Sequence, residues 1–145
     1  MRRTPLRRGK PIARRAAKRK RYELREESSD YRLEHLSCAA CWKPYWTLGF
    51  IQLDQHHLLG GRVARQDGAW NWLMLCRRWG EEGCHDKLGH GRENLAVALT
   101  IKIEMGEYEP ETMQEYLRRF GGEILPDPAP LYPWIVTARA TWSDR

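Results

Sequence analysis

Four of the chain's five histidines and two of its four cysteines lie between Leu53 and His90. His56 and His57 are adjacent, His85 directly follows Cys84, and His90 is five residues further on. A neutral imidazole nitrogen binds divalent cations, and an imidazole of ordinary basicity accepts a proton near neutrality. Neighbouring residues on a strand point to opposite sides. His56 and His57 therefore suit two different tasks, His56 as a metal ligand and His57 as a base. His85 supplies a second ligand once a helix carries it across. His90 supplies a third if the chain bends at Gly89, because residues four apart, not five, share one helical face. A histidine-held cation beside a positioned base suits phosphodiester cleavage. The base deprotonates a water for in-line attack at phosphorus, and the cation stabilises charge on the phosphoryl and departing oxygens. Two adjacent histidines alone are more often plain surface residues, so the weight comes from their neighbours in the sequence.

The cysteines are the first of these. Cys38-Ala39-Ala40-Cys41 has the spacing that lets two thiolates reach one ion from a tight turn. A lone pair of this kind is a weak signal. Cys76 and Cys84, beyond the histidine pair, complete a four-thiolate set for a structural Zn2+. The plain alternative is four unligated buried thiols.

Elements must position these residues. The apolar and β-branched stretch 46–53 predicts a strand ending at the histidine pair. Gly60-Gly61 signals a turn, residues 60–70 a connecting loop, and 72–75 the returning strand. A helix is expected from Cys84, with His85 in its first turn and 77–83 as an excursion from the zinc site. Upstream, helix formers dominate 14–36, with a break near Ser28-Ser29-Asp30 and Ser29 or Asp30 capping a second short helix. His35 in that segment reads as a packing or surface residue. Downstream, 93–105 fits a helix better than a strand. Pro110 opens another helix carrying Met113, Tyr116, Leu117 and Phe120 on one face and ending at Gly121-Gly122. Four prolines within 124–134 predict an extended segment over the surface.

Charge divides the chain. Residues 1–21 hold eleven basic side chains and no acidic one: Arg2, Arg3, Arg7, Arg8, Lys10, Arg14, Arg15, Lys18, Arg19, Lys20 and Arg21. Removing them from the totals of 25 basic and 19 acidic residues leaves 14 against 19, a net of −5 over 22–145. A basic arm on a mildly acidic body reads as a DNA tether, disordered or partly helical before it binds. An anionic membrane is the weaker reading, since no amphipathic face with aromatic anchors accompanies the charge. The remaining length suits a single domain over 22–145. No apolar run is long enough to span a bilayer, and the basic start lacks the apolar core of a signal peptide, so the cytoplasm is the expected compartment.

Taken together, Asp54-x-His56-His57, Asn71-x4-Cys76 and Cys84-His85 resemble the HNH endonuclease family in its zinc-supported, four-cysteine branch. The resemblance covers residues 38–90, leaving 91–145 as a helical and proline-rich extension. It implies an α+β fold: a small ββα-metal (HNH, His-Me finger) core with a structural zinc site, flanked by helices. It implies that His57 is the general base and that His56 and His85 hold a catalytic Mg2+, Mn2+ or Zn2+. Asn71 resembles the asparagine that holds the two-stranded loop and so orients the base. His90 matches a further histidine found in a subset of members. Asp54 matches an acidic position with a structural or ligand-supporting role, and Arg62 and Arg65 lie in a loop that could reach phosphate, though a solvated loop face is the plainer reading of both. The chain departs from the pattern at one point: seven residues separate Cys76 from Cys84, where two are usual. The activity implied is metal-dependent hydrolysis of DNA to 5′-phosphate and 3′-hydroxyl ends. The short length and the Arg-Thr-Pro-Leu-Arg-Arg start look like phage-encoded members acting in recombination or DNA packaging in the host cytoplasm, with a recombinase or other DNA-processing protein as partner. The competing reading is a non-catalytic, zinc-stabilised nucleic-acid-binding or recombination accessory protein.

Overall fold

A computed structural model describes residues 26–47, 52–60, 68–77, 83–120 and 123–143. At its centre strand β1 (Gln52–His57) pairs antiparallel with β2 (Trp72–Arg77). The register sets Leu53 opposite Cys76, His56 opposite Leu73 and His57 opposite Trp72. β2 is buried from Trp72 to Cys76, consistent with its unbroken apolar run. In β1, Leu53, Asp54, Gln55 and His57 are half-buried and His56 is buried. A short helix, α2 (Cys84–Leu88), follows, and then the longer α3 (Arg92–Met105). α4 (Pro110–Phe120) and α5 (Pro133–Ala140) complete the C-terminal part, and residues 26–34 form an N-terminal helix, α1. Mixed helix and strand around one small antiparallel sheet is thus the fold class of the described residues.

The largest buried cluster joins the four cysteines to Leu73 and Leu75 of β2, Leu88 of α2, Val97, Ala98 and Ile101 of α3, and Ile135 of α5. A second joins Leu59 and Leu99 to Met113 and Tyr116 of α4. A third packs Tyr31 of α1 on Trp72 and Met74. Among the described residues, no helix is long and apolar enough to cross a membrane.

Three expectations need correction. The strand does not begin at Trp46: residues Tyr45–Thr47 form a 3-10 turn, and β1 starts at Gln52 and runs through both histidines. β2 ends at Arg77, the partner of Gln52, and Trp46 is exposed, while residues 48–51 lie outside the described residues. Ser28, Ser29 and Asp30 do not break α1. Ser28 Oγ donates to Gln55 Oε1 at 2.7 Å, which ties the helix to β1 rather than capping it. The extended segment stops at Tyr132, because Pro133 occupies the first turn of α5, where its missing N–H costs nothing. The basic arm, the loop arginines Arg62 and Arg65, most of the 77–83 excursion and Gly121-Gly122 lie outside the described residues.

Candidate active site and metal centre

Cys38 and Cys41 sit on a tight turn before β1, Cys76 near the end of β2, and Cys84 at the start of α2. Their sulfurs all lie within 4.8 Å of one another, and all four residues are buried. The turn is closed by Trp42 N–H donating to Cys38 O at 2.8 Å and Cys38 N–H donating to Lys43 O at 3.0 Å. It is docked on β2 by Ala39 N–H donating to Met74 O, and Cys38 Sγ accepts the Cys76 N–H. A tetrahedral zinc with Zn–S bonds of ~2.3 Å needs sulfur–sulfur edges of ~3.8 Å. Cys41 and Cys76 are already 3.9 Å apart. Hydrogen bonds with Cys38, then Cys41, hold the Cys76 thiol far below its ordinary acidity range and push Cys84 far above it. Four thiols so crowded cannot all ionise without a cation among them. The donor set fits a structural metal such as zinc, and the longer spacing of the second pair has not dispersed it.

Arg139, which the sequence did not single out, supports this turn from α5. Its guanidinium donates to Ala40 O at 2.8 Å and Ala39 O at 3.1 Å, the two carbonyls between the paired cysteines. It also pairs with Glu104 at 2.8 Å and lies over the Trp42 ring, 4.5 Å from its centroid.

Three histidines gather around β1: His56, His85 and His90. His56 is buried, at 2% exposure. The rings of His85 and His90 each stand with centroids 4.9 Å from it, His85 edge-on and His90 stacked. Gly89 and Gly91 flank His90 with positive φ of 49° and 127°, and this bend brings a residue five beyond His85 back to His56. His56 Nδ1 is buried with no hydrogen-bond partner. Burial, then the neighbouring His85, His90 and His57, pushes the His56 imidazole down to about 4, against a smaller opposing effect of the Gly89 backbone. The ring is therefore neutral at physiological pH, the form that ligates metal. A buried nitrogen without a partner beside two further imidazoles fits a divalent cation. Among the described residues, the cysteines alone already draw three or more donor atoms together, while the histidines converge as rings.

No match to the chain appears among family models, curated proteins or solved structures.

His57 points away from His56. It is half-buried, and its ring stands edge-on to the Trp72 indole with centroids 6.4 Å apart. Asn71 is fully buried and clamps the chain just after His57: Leu59 N–H donates to its Oδ1 at 2.6 Å, and its Nδ2 donates to Leu59 O at 2.7 Å. Its own carbonyl accepts Leu58 N–H at 2.9 Å. Asp54 pairs with Arg77 at 3.3 Å across the sheet and so has a structural contact. His35 packs rather than ligates, stacked on Tyr31 and paired with Glu107 at 2.7 Å.

Proposed function

We propose that this protein is a metal-dependent DNA endonuclease of the HNH type, with His57 as general base. One observation carries the reading: a buried, neutral His56 with an unpartnered Nδ1, faced at 4.9 Å by the rings of both His85 and His90. Burying a polar nitrogen without a partner costs ~1–3 kcal/mol, so such a group is tolerated where a ligand completes it. His56, His85 and His90 would hold the cation. When bound, it would supply a positive charge for the phosphoryl and departing oxygens.

His57 does the proton chemistry. It lies on the opposite side of β1 from His56, so it is free of the ligand role and takes the proton of the attacking water at a ring nitrogen. Asn71 fixes the turn that follows His57 and so fixes the direction of its imidazole. The basic side chains of 1–21 would add salt-sensitive affinity for the DNA backbone.

Relaxation of supercoiled plasmid tests the reading, with Mg2+, Mn2+ or chelator, for the parent protein and His57→Ala. Cutting by the parent with an added cation is expected, with a fall of ~10²–10⁴-fold in His57→Ala, the range for a lost general base. Equal turnover by the two proteins would remove His57 from the mechanism. A parent protein that binds DNA yet cuts under no cation would favour the non-catalytic, zinc-stabilised binding protein.

A further inference from the structure

Behind the Trp72 face of the sheet lies a buried polar cluster that neither the candidate cation site nor the cysteines use, with His35 at its edge, stacked on Tyr31 and paired with Glu107 at 2.7 Å. Lys102 of α3 is fully buried. Its ammonium donates to Ala69 O at 2.7 Å, to Glu107 Oε2 at 2.5 Å and to Tyr31 Oη at 3.2 Å. The Tyr31 hydroxyl donates to Trp72 O at 2.8 Å and lies 3.1 Å from Glu107 Oε2. Its ring stands edge-on to the Trp72 indole, 5.4 Å between centroids.

An apolar side chain would fill this place with less desolvation. Burial pulls the Lys102 ammonium down from its usual range, and Glu107 opposes that. A buried ion pair is weak support for stability, and its better-attested benefit is a unique arrangement. Here the arrangement is local. The two gripped carbonyls, Ala69 and Trp72, bracket Asn71. Ala69 O also takes the Trp72 N–H that closes the 3-10 turn Ala69–Asn71. From this turn Asn71 reaches over to clamp Leu59, and Trp72 pairs with His57 and sets its indole against the imidazole. One four-residue stretch, held from behind, therefore borders His57 both across the sheet and along the chain.

We infer that Lys102 and Tyr31 are positioning residues for His57, acting through residues 69–72. The inference rests on His57 being the base. It adds that the base's placement depends on α1 and α3, which lie outside the histidine and cysteine motif.

Tyr31→Phe tests this by removing one oxygen while keeping the ring. Two readouts are taken on the full-length, zinc-loaded protein. One is the imidazole 1H–13C signal of His57, identified by its loss in His57→Ala and sensitive to the Trp72 ring current. The other is kcat and KM for plasmid nicking with Mn2+. The expected result is a displaced His57 signal and a kcat lower by about tenfold or more, as small misplacements at a reacting centre produce, with KM unchanged. Lys102→Met is expected to act in the same direction and more strongly, measured per zinc-loaded molecule. If it fails to fold, Tyr31→Phe alone decides. A purely structural role lowers the melting temperature and leaves both readouts in place, which would overturn the inference. So would a displaced signal with unchanged kcat. A displaced signal in a protein that cuts DNA under no cation would uphold the positioning and sink the nuclease reading.

Discussion

At His56, burial favours the neutral ring, the protonation state that the proposed cation would need. The folded ring takes its proton at about 4, against 6.5 for an ordinary histidine. Between those values the unfolded chain binds the extra proton and the folded protein does not. Stability is therefore complete above pH 6.5 and is lost as pH falls through 4. The whole effect is on the order of 3 kcal/mol. Urea unfolding from pH 7.5 to 5, without added divalent cation, should show a shallower slope for His56→Leu than for the parent. The cysteine site is common to both, so the difference in slope isolates His56. Parallel curves would mean that His56 is not buried as a neutral ring. The convergence of the four cysteines was legible in the sequence, because type and spacing mark a shared ligand set. That His56 and His57 face apart followed from strand geometry alone. The approach of His90 needed the glycines on both sides of it, and the sequence supplied only the condition.

Elements were legible where one face is wet. α4 buries Met113 and Tyr116 and exposes its other side, and its period reads plainly. α3 buries residues around much of its circumference, Lys102 included, so helix and strand periods both fit in part. α5 was hidden by its own first residue, since a fourth proline in eight reads as continued extension until the chain past Pro133 is seen to pack. Its purpose was hidden too, because nothing local in Arg139 announces partners about a hundred residues away in sequence. Through Arg139, α5 holds the carbonyls of the Cys38–Cys41 turn, each a charge-assisted bond of ~1.5–3 kcal/mol. Arg139→Met keeps the stem and removes those bonds. It should cost on the order of 3 kcal/mol and lower the melting temperature by roughly 10 °C. It should also release zinc to a chelator at a concentration that leaves the parent loaded. Arg139→Lys, with one compact donor in place of a fork, should fall between the two. Zinc retention by Arg139→Met equal to the parent's would show that the turn holds its shape without α5.

On the scale of the whole molecule, the charge is divided so that the two halves of the proposed function, DNA binding and cutting, can be separated by experiment. Residues 1–21 carry all the excess positive charge, and the remainder is net −5. An acidic body repels DNA unless something else holds it there. If about six phosphates are neutralised by the arm, affinity should fall ~10³-fold between 50 and 200 mM salt, since each contact adds about −0.9 to the logarithmic slope. Deleting residues 1–21 should weaken binding most at low salt and flatten that slope toward zero. None of the histidines or cysteines of the candidate site lies in the deleted stretch, so turnover at saturating DNA should persist while KM rises. Fluorescence anisotropy on a duplex across a salt series measures the slope, and nicking at high DNA concentration measures the turnover. A truncated protein with the parent's slope would place the phosphate contacts on the body, despite its net charge. A truncated protein that still binds but no longer turns over would instead give the arm a part in the chemistry, and the division of labour drawn from the charge would be wrong.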